Sequence, residues 1–192
     1  MPRDHIKSET LNKKLRKWYS LTLDNNNDGI ISWDDFLAAA EVILPREEAE
    51  KNGRLKIVRR RIEQDFQKYF WDLCEVGDAN QDGVIDLDEW LDVMNDIVLH
   101  LKEIGTLPTW FESLYKYMFR ANEFLDDKNV SKEEFKAMLS IWDINAEAVG
   151  KAFDFITENG AKKMDYSLFI EFIKKFLASE EPGHVLNLGL DA

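Results

Sequence analysis

Cysteine is almost missing from this chain: Cys74 stands alone among 192 residues, so no internal disulfide can form and stability must come from a hydrophobic core. Only four prolines and nine glycines interrupt it, which leaves long tracts free to form helix. No apolar run reaches the ~20 residues needed to span a bilayer. Met1-Pro2-Arg3-Asp4-His5 lacks the apolar stretch of a secretory leader, and Pro2 in place of glycine removes the N-myristoylation signal. Positive charge is in deficit, with 25 Lys and Arg against 37 Asp and Glu and a net charge of -12. That balance argues against nucleic acid or an anionic membrane as the main partner. The Gly-x-x-x-x-Gly-Lys-Ser/Thr phosphate loop is absent, and His5, His100 and His184 are scattered, so no catalytic grouping is suggested and the chain reads as a non-enzyme. The expectation is a cytoplasmic, all-α monomer.

What the chain does have is a repeated acidic loop. Asp78, Asn80, Asp82, Val84, Asp86 and Glu89 stand at positions 1, 3, 5, 7, 9 and 12 of a twelve-residue segment with Gly83 at position 6. Upstream, Asp24, Asn26, Asp28, Ile30, Ser32 and Asp35 repeat the spacing around Gly29. A hard divalent cation takes six to eight oxygens, and this spacing is the one by which an EF-hand loop supplies them: side chains at 1, 3, 5, 9 and 12, a backbone carbonyl at 7 and a turn residue at 6. Ile31 and Ile85, both at position 8, are placed to pair strand to strand, while Phe36 and Trp90 at position 13 are expected to open the exiting helices. Two calcium ions per chain follow from two intact loops. In the first loop Asp35 replaces the usual Glu at position 12, and its shorter arm favours six-fold coordination, which suits magnesium as well as calcium.

The same rhythm recurs downstream in degraded form. Val130, Ser131 and Phe135 align a loop from Glu123 to Glu134, but position 3 is Leu125 and position 6 is Lys128. Met164, Asp165 and Phe169 align another from Thr157 to Leu168, with Ala161 at position 5, Lys162 at position 6 and Leu168 at position 12. A shifted third loop using Asp126, Asp127 and Glu133 would need non-standard geometry, so both are read as hands kept for pairing rather than for metal.

Between the first two loops, residues 46 to 76 read as one long helical region carrying Leu55, Val58, Ile62, Phe66, Tyr69, Phe70 and Leu73 at three-and-four spacing. Pro45 is expected at its first position, with an interruption near Gly53. Arg54, Lys56, Arg59, Arg60 and Arg61 read as a solvated face, balanced by Glu63 and Asp65 four residues after Arg59 and Arg61. Cys74, beside Phe66, Phe70 and Leu73, reads as a buried inert thiol.

The four-hand layout with a long first interval resembles the invertebrate sarcoplasmic calcium-binding proteins and calexcitins over essentially the whole chain. The resemblance is carried by Ile31-Ser32-Trp33-Asp34-Asp35-Phe36, Leu107-Pro108-Thr109-Trp110, Ile156-Thr157-Glu158-Asn159-Gly160 and the tail from Ser179 to Ala192. It implies two EF-hand pairs packed into one globule through an aromatic core: residues 1–100 with both metal loops, 101–178 as a degenerate pair, and 179–192 folded over the core. Members that keep the third loop differ from this pattern.

A calcium and magnesium buffer needing no protein target is the leading expectation, with a calexcitin-like sensor as the alternative. Only Met94, Met118, Met138 and Met164 follow the initiator, and each sits beside aromatics, whereas promiscuous target grooves lean on methionine. Two further groups share the resemblance. Photoproteins and luciferin-binding proteins enclose a hydrophobic ligand, but the photoprotein pattern keeps other loops and places His beside Trp and Tyr, so the six Trp are read as core. A juvenile hormone diol kinase is also similar, but no nucleotide loop accompanies it here.

Overall fold

The computed structural model describes residues 7–122, 129–140 and 144–192. Nine α-helices run through them: α1 (Glu9–Trp18), α2 (Trp33–Ile43), α3 (Arg46–Glu50), α4 (Gly53–Gly77), α5 (Leu87–Ile104), α6 (Thr109–Asn122), α7 (Lys132–Ser140), α8 (Ala146–Ile156) and α9 (Tyr166–Ala178). Helix α1 starts where the Ser8 hydroxyl accepts the Leu11 N–H, and it buries Leu11, Lys14, Leu15 and Trp18 along one stripe. It continues into a π-helical turn, Tyr19–Leu23, closed by the Asp24 N–H donating to the Tyr19 carbonyl at 3.0 Å. Helix–loop–helix units follow as α1/α2, α4/α5, α6/α7 and α8/α9.

The loops pair as the apolar position 8 requires. Strands β1 (Ile30–Ile31) and β2 (Ile85–Asp86) run antiparallel, with Ile31 opposite Ile85 and Ile30 opposite Asp86. In the second pair Val130 and Met164 form an isolated bridge, the Val130 N–H donating to the Met164 carbonyl at 2.8 Å. The structure is thus the all-α, two-pair arrangement expected, with a two-stranded link between the first loops.

Several local expectations need correction. The interruption expected near Gly53 divides residues 46 to 76 into two separate helices, because the Asn52 side chain accepts the Arg54 N–H at 2.8 Å and starts α4 afresh, with Gly53 as its first residue. Pro45 precedes α3 rather than opening it: its ring sets φ at -53° but leaves ψ extended at 140°, and its carbonyl takes the Ala49 N–H. Phe36 and Trp90 lie inside the exiting helices, which begin at Trp33 and Leu87 behind the position-9 residues Ser32 and Asp86.

Arg59 is not part of a solvated face. It is 5% exposed, and its guanidinium donates to the carbonyls of Ala40 (2.9 Å) and Leu44 while pairing with Glu41 (2.9 Å) and Glu63 (3.0 Å). A fixed cation here adds to the Leu44 N–H already on the Ala40 carbonyl, caps the Leu44 carbonyl at the C-terminal end of α2 and pins α2 to α4. Arg54, Lys56, Arg60 and Arg61 are exposed as expected.

One apolar cluster spans both pairs and the tail. Phe36 meets Phe66, Tyr69 and Phe70 at 5.6–5.9 Å between ring centres, Tyr69 reaches Trp110 on α6 at 5.8 Å, and Phe135 meets Phe172 at 5.2 Å. The pairs are tilted or edge-on, and the edge-on ones are an arrangement that aromatic quadrupoles prefer. All four internal methionines are buried in this cluster. Trp18 and Trp90 are buried too, but Trp71 is 57% exposed, so not every Trp is core; Trp142 lies outside the described residues. Cys74 is half-buried rather than buried, and burial, followed by Asp78, Glu89 and Asp82, pushes its thiol up to about 11.

The tail packs Leu186, Leu188 and Leu190 into the cluster. Its anchor is Lys14 of α1, fully buried, whose ammonium donates to the carbonyls of Phe176 and Ser179 (2.8 Å) and to Asn187 Oδ1 (3.1 Å) and lies 4.8 Å from the Phe176 ring centre. Asn187 in turn donates to the Glu181 carbonyl and Asp191, both at 2.8 Å.

Candidate metal centre

Within each of the first two loops, backbone N–H groups hold the side-chain oxygens in a fixed pattern. In the second loop Asp78 accepts from the N–H groups of Asp82 (3.1 Å) and Gly83 (2.9 Å), Asn80 from Asp82 (2.8 Å), and Asp82 from Val84 (3.1 Å). Asp86 and Glu89 exchange bonds, the Glu89 N–H to Asp86 Oδ1 at 2.9 Å and the Asp86 N–H to Glu89 Oε2 at 3.1 Å. This reciprocal capping box starts α5 and turns the position-12 carboxylate back over the loop. Its other oxygen takes the N–H of Ala79 at 2.9 Å.

At positions 1, 3 and 5 the first loop repeats the pattern. Asp24 accepts from Asp28 (3.0 Å) and Gly29 (3.1 Å), Asn26 from Asp28 (2.8 Å), and Asp28 from Ile30 (3.1 Å). Gly29 and Gly83 carry φ of +89° and +84°, the left-handed conformation that position 6 requires. Asn27 and Gln81 at position 4 are left-handed as well, at 57° and 62°.

Asp35 departs where the sequence indicates. Its carboxylate is 1% exposed and takes four donors: the N–H groups of Asn25 (3.0 Å), Asn26 (3.3 Å) and Ser32 (2.8 Å), and the Ser32 hydroxyl (2.8 Å). These are the backbone positions that Glu89 engages with an arm one methylene longer, so the first loop closes more tightly on its position-12 residue. Such a closed, saturated carboxylate has less freedom to turn both oxygens on a large ion. Asp35→Glu is expected to raise the calcium-over-magnesium preference of this loop on the order of ten-fold, about 1.4 kcal/mol, as one charge-assisted oxygen contact is regained. Competition calorimetry checks this, and an unchanged ratio would refute the reading of position 12.

The donor set is wholly oxygen. Among the described residues, no three carboxylate, imidazole or thiol side chains cluster at metal-ligating spacing. The sets are mixed, with Asn, Ser and main-chain oxygens beside three acids in the first loop (Asp24, Asp28, Asp35) and four in the second (Asp78, Asp82, Asp86, Glu89). A set of hard oxygens held by main-chain donors fits calcium or magnesium and not a soft metal.

The third loop, including Leu125, Asp126, Asp127 and Lys128, falls largely outside the described residues. The fourth is wound differently. Glu158, Asn159 and Gly160 are left-handed in succession, the Thr157 hydroxyl donates to the Phe153 carbonyl at 2.7 Å, and the Lys162 N–H closes on the Thr157 carbonyl at 2.8 Å. Lys162 pairs outward with Glu158 at 2.7 Å. Main-chain bonds and a cation occupy this turn.

One residue beside the loops was not singled out from the sequence. The Tyr19 hydroxyl lies 2.8 Å from the Gly29 carbonyl of the first loop and 3.1 Å from the Ile85 carbonyl of the second. Burial, then Asp24, Asp86, Asp28 and Asp35, pushes its ionisation well above the ordinary tyrosine range, so it remains a donor. The only sequence signal was an aromatic five residues ahead of the loop.

Comparison with known proteins agrees with this geometry. An EF hand family model matches residues 75–94. Sarcoplasmic calcium-binding proteins I, III and IV of Branchiostoma lanceolatum are 24% identical over 167 residues, covering 87% of this chain and 89% of theirs. Calexcitin-1 of Caenorhabditis elegans is 24% identical over 142 residues, 73% of this chain and 64% of its own. A solved sarcoplasmic calcium-binding protein from amphioxus superposes with a TM-score of 0.74 at 22% identity, over 93% of this chain and 96% of that one.

Proposed function

For an EF-hand chain that resembles the sarcoplasmic calcium-binding proteins and calexcitin, we propose a cytosolic Ca2+/Mg2+ buffer, binding two ions through loops 24–35 and 78–89. Calcium would be held by Asp24, Asn26, Asp28, the Ile30 carbonyl, Ser32 and Asp35, and by Asp78, Asn80, Asp82, the Val84 carbonyl, Asp86 and Glu89. The observation that carries this is the repeated set of main-chain N–H bonds that orient the side-chain oxygens at positions 1, 3, 5 and 12 in both loops. The fourth acid in the second loop makes it the tighter calcium site, since affinity follows ligand charge. Residues 1–100 form the metal-binding pair, 101–178 its scaffold and 179–192 the covering tail; the chain acts as a monomer, without enzymatic activity.

Buffer is preferred to sensor because the inner faces of all four hands are consumed in one aromatic cluster. A sensor needs a groove that opens with calcium, and the methionines that would line one are buried here. Ligand carriage is disfavoured beneath the tail, where the cavity lined by Trp18, Tyr115, Phe172 and Phe176 holds about 20 Å3. A drug-sized ligand needs roughly 300 Å3 or more. Among the described residues no helix is long and apolar enough to cross a membrane.

Calorimetric titration with and without millimolar magnesium, with melting and hydrophobic-dye fluorescence in parallel, tests the reading. The expected result is two calcium ions per chain, no dye gain, and a melting temperature that climbs with free calcium, because the folded loops bind metal and the unfolded chain scarcely does; at 100 times Kd each site adds about 2.7 kcal/mol. A third micromolar site would contradict the loop assignment, and a strong calcium-dependent dye signal would favour the calexcitin-like sensor.

A further inference from the structure

Tyr19 sits at the start of the π-helical turn, 3% exposed, with its ring 6.4 Å from that of Trp90. A π turn inside a helix is uncommon and tends to mark function, since the extra residue re-aims a side chain. Here it precedes the first loop and delivers a hydroxyl between two loops. One proton is offered to two carbonyls, Gly29 at 2.8 Å and Ile85 at 3.1 Å.

Each of those carbonyls belongs to a peptide unit whose N–H holds a carboxylate. The Gly29 carbonyl shares its unit with the Ile30 N–H, which donates to Asp28 Oδ1 at 3.1 Å. The Ile85 carbonyl shares its unit with the Asp86 N–H, which donates to Glu89 Oε2 at 3.1 Å. A hydrogen bond to a carbonyl polarises its peptide and strengthens the N–H on the other side. We propose that the Tyr19 hydroxyl is a coupling element between the two metal loops, linking the orientation of Asp28 in one to that of Glu89 in the other. The proposal rests on both loops being metal sites, as argued above.

The β1–β2 ladder also joins the loops, but it runs through Ile30, Ile31, Ile85 and Asp86 and leaves the Gly29 carbonyl to Tyr19. The hydroxyl therefore adds a second path. Tightening of the second loop around an ion fixes the Ile85–Asp86 peptide and with it the hydroxyl. The Gly29–Ile30 peptide is then held in place before the first loop fills.

Tyr19→Phe removes the hydroxyl and keeps the ring against Trp90. The full chain is titrated with calcium in four forms: parent, Tyr19→Phe, Glu89→Gln and the double variant. In the parent background, first-loop affinity is expected to be at least about five-fold higher with the second loop intact than with Glu89→Gln, the low end of ordinary inter-site coupling. With Tyr19→Phe that ratio falls toward one, while melting without calcium stays within a few degrees of the parent. An unchanged ratio, or an equal first-loop loss in both backgrounds, overturns the proposal and makes Tyr19 a local prop. A parent that binds no calcium instead removes the metal reading itself. Should Tyr19→Phe fail to fold, the parent decides: the first calcium equivalent, entering the second loop, moves the Gly29 carbonyl carbon resonance, and an unmoved Gly29 carbonyl overturns the coupling.

Discussion

Glu89→Gln is expected to lower calcium affinity at the second loop on the order of 100-fold, about 2.7 kcal/mol. Two losses combine. The substitution removes the charge from the residue that should bind an ion through both oxygens. It also creates a mismatch in the loop itself, because Glu89 now accepts the Ala79 N–H on one oxygen and the Asp86 N–H on the other, at 2.9 and 3.1 Å. A glutamine amide has one oxygen, so whichever way it turns its NH2 faces a main-chain donor. With the amide turned to Asp86 the capping box that starts α5 loses a bond, and with it turned to Ala79 the loop does, so helix or site weakens in either rotamer. Calorimetry should find one high-affinity ion where the parent binds two. Two ions at parental affinity would dismiss Glu89 as a ligand and the second loop as the stronger site.

Lys14→Met is expected to destabilise the chain by about 3 kcal/mol, the cost of stranding buried acceptors whose donor has gone. For a chain of this size that is a fall in Tm of roughly 6–12 °C. The carbonyls of Phe176 and Ser179 and the Asn187 side chain share one nitrogen, whose three N–H groups match three oxygens when it is protonated and whose two match only two when it is neutral. Methionine fills the space but donates nothing, so the tail should loosen and become the first site of proteolysis. A pH signature separates this from simple packing loss. Burial pulls the Lys14 amine down to about 7, against the opposing pull of Asp191 and Glu180. Between pH 7 and the ordinary lysine value near 10.5 the unfolded chain therefore binds more protons than the folded one at this site. Stability from this group rises with pH across that window and is lost as pH falls toward 7. The difference in stability between parent and Lys14→Met should widen from pH 7 to 9 in denaturant titrations. A constant difference would mean that Lys14 does not titrate in the fold.

The two loops and their pairing were legible because calcium chemistry imposes a local spacing: twelve consecutive residues, with glycine at 6 and an apolar residue at 8, carry the requirement whole. Position 12 was marked by the same spacing, and the fold holds Asp35 against the N–H groups of Asn25, Asn26 and Ser32. The degenerate fourth loop could be read as well, since Ala161, Lys162 and Leu168 each remove a needed group. The four buried methionines followed from their aromatic neighbours, and the aromatic cluster from the family resemblance. What the chain could not disclose lies between segments distant in sequence. Lys14 falls on the apolar stripe of α1, a visible signal, but its acceptors are more than 160 residues away and exist only when α9 and the tail fold back. Arg59 looked like one more surface cation until α2 ended against it. Tyr19 drew no notice in the sequence, because its role depends on a π turn that aims its hydroxyl at two loops whose closest approach is a tertiary fact. A local rule can be read from local order; a buried polar group finds its partners through the whole fold, because only the folded chain decides which main-chain groups are left without one.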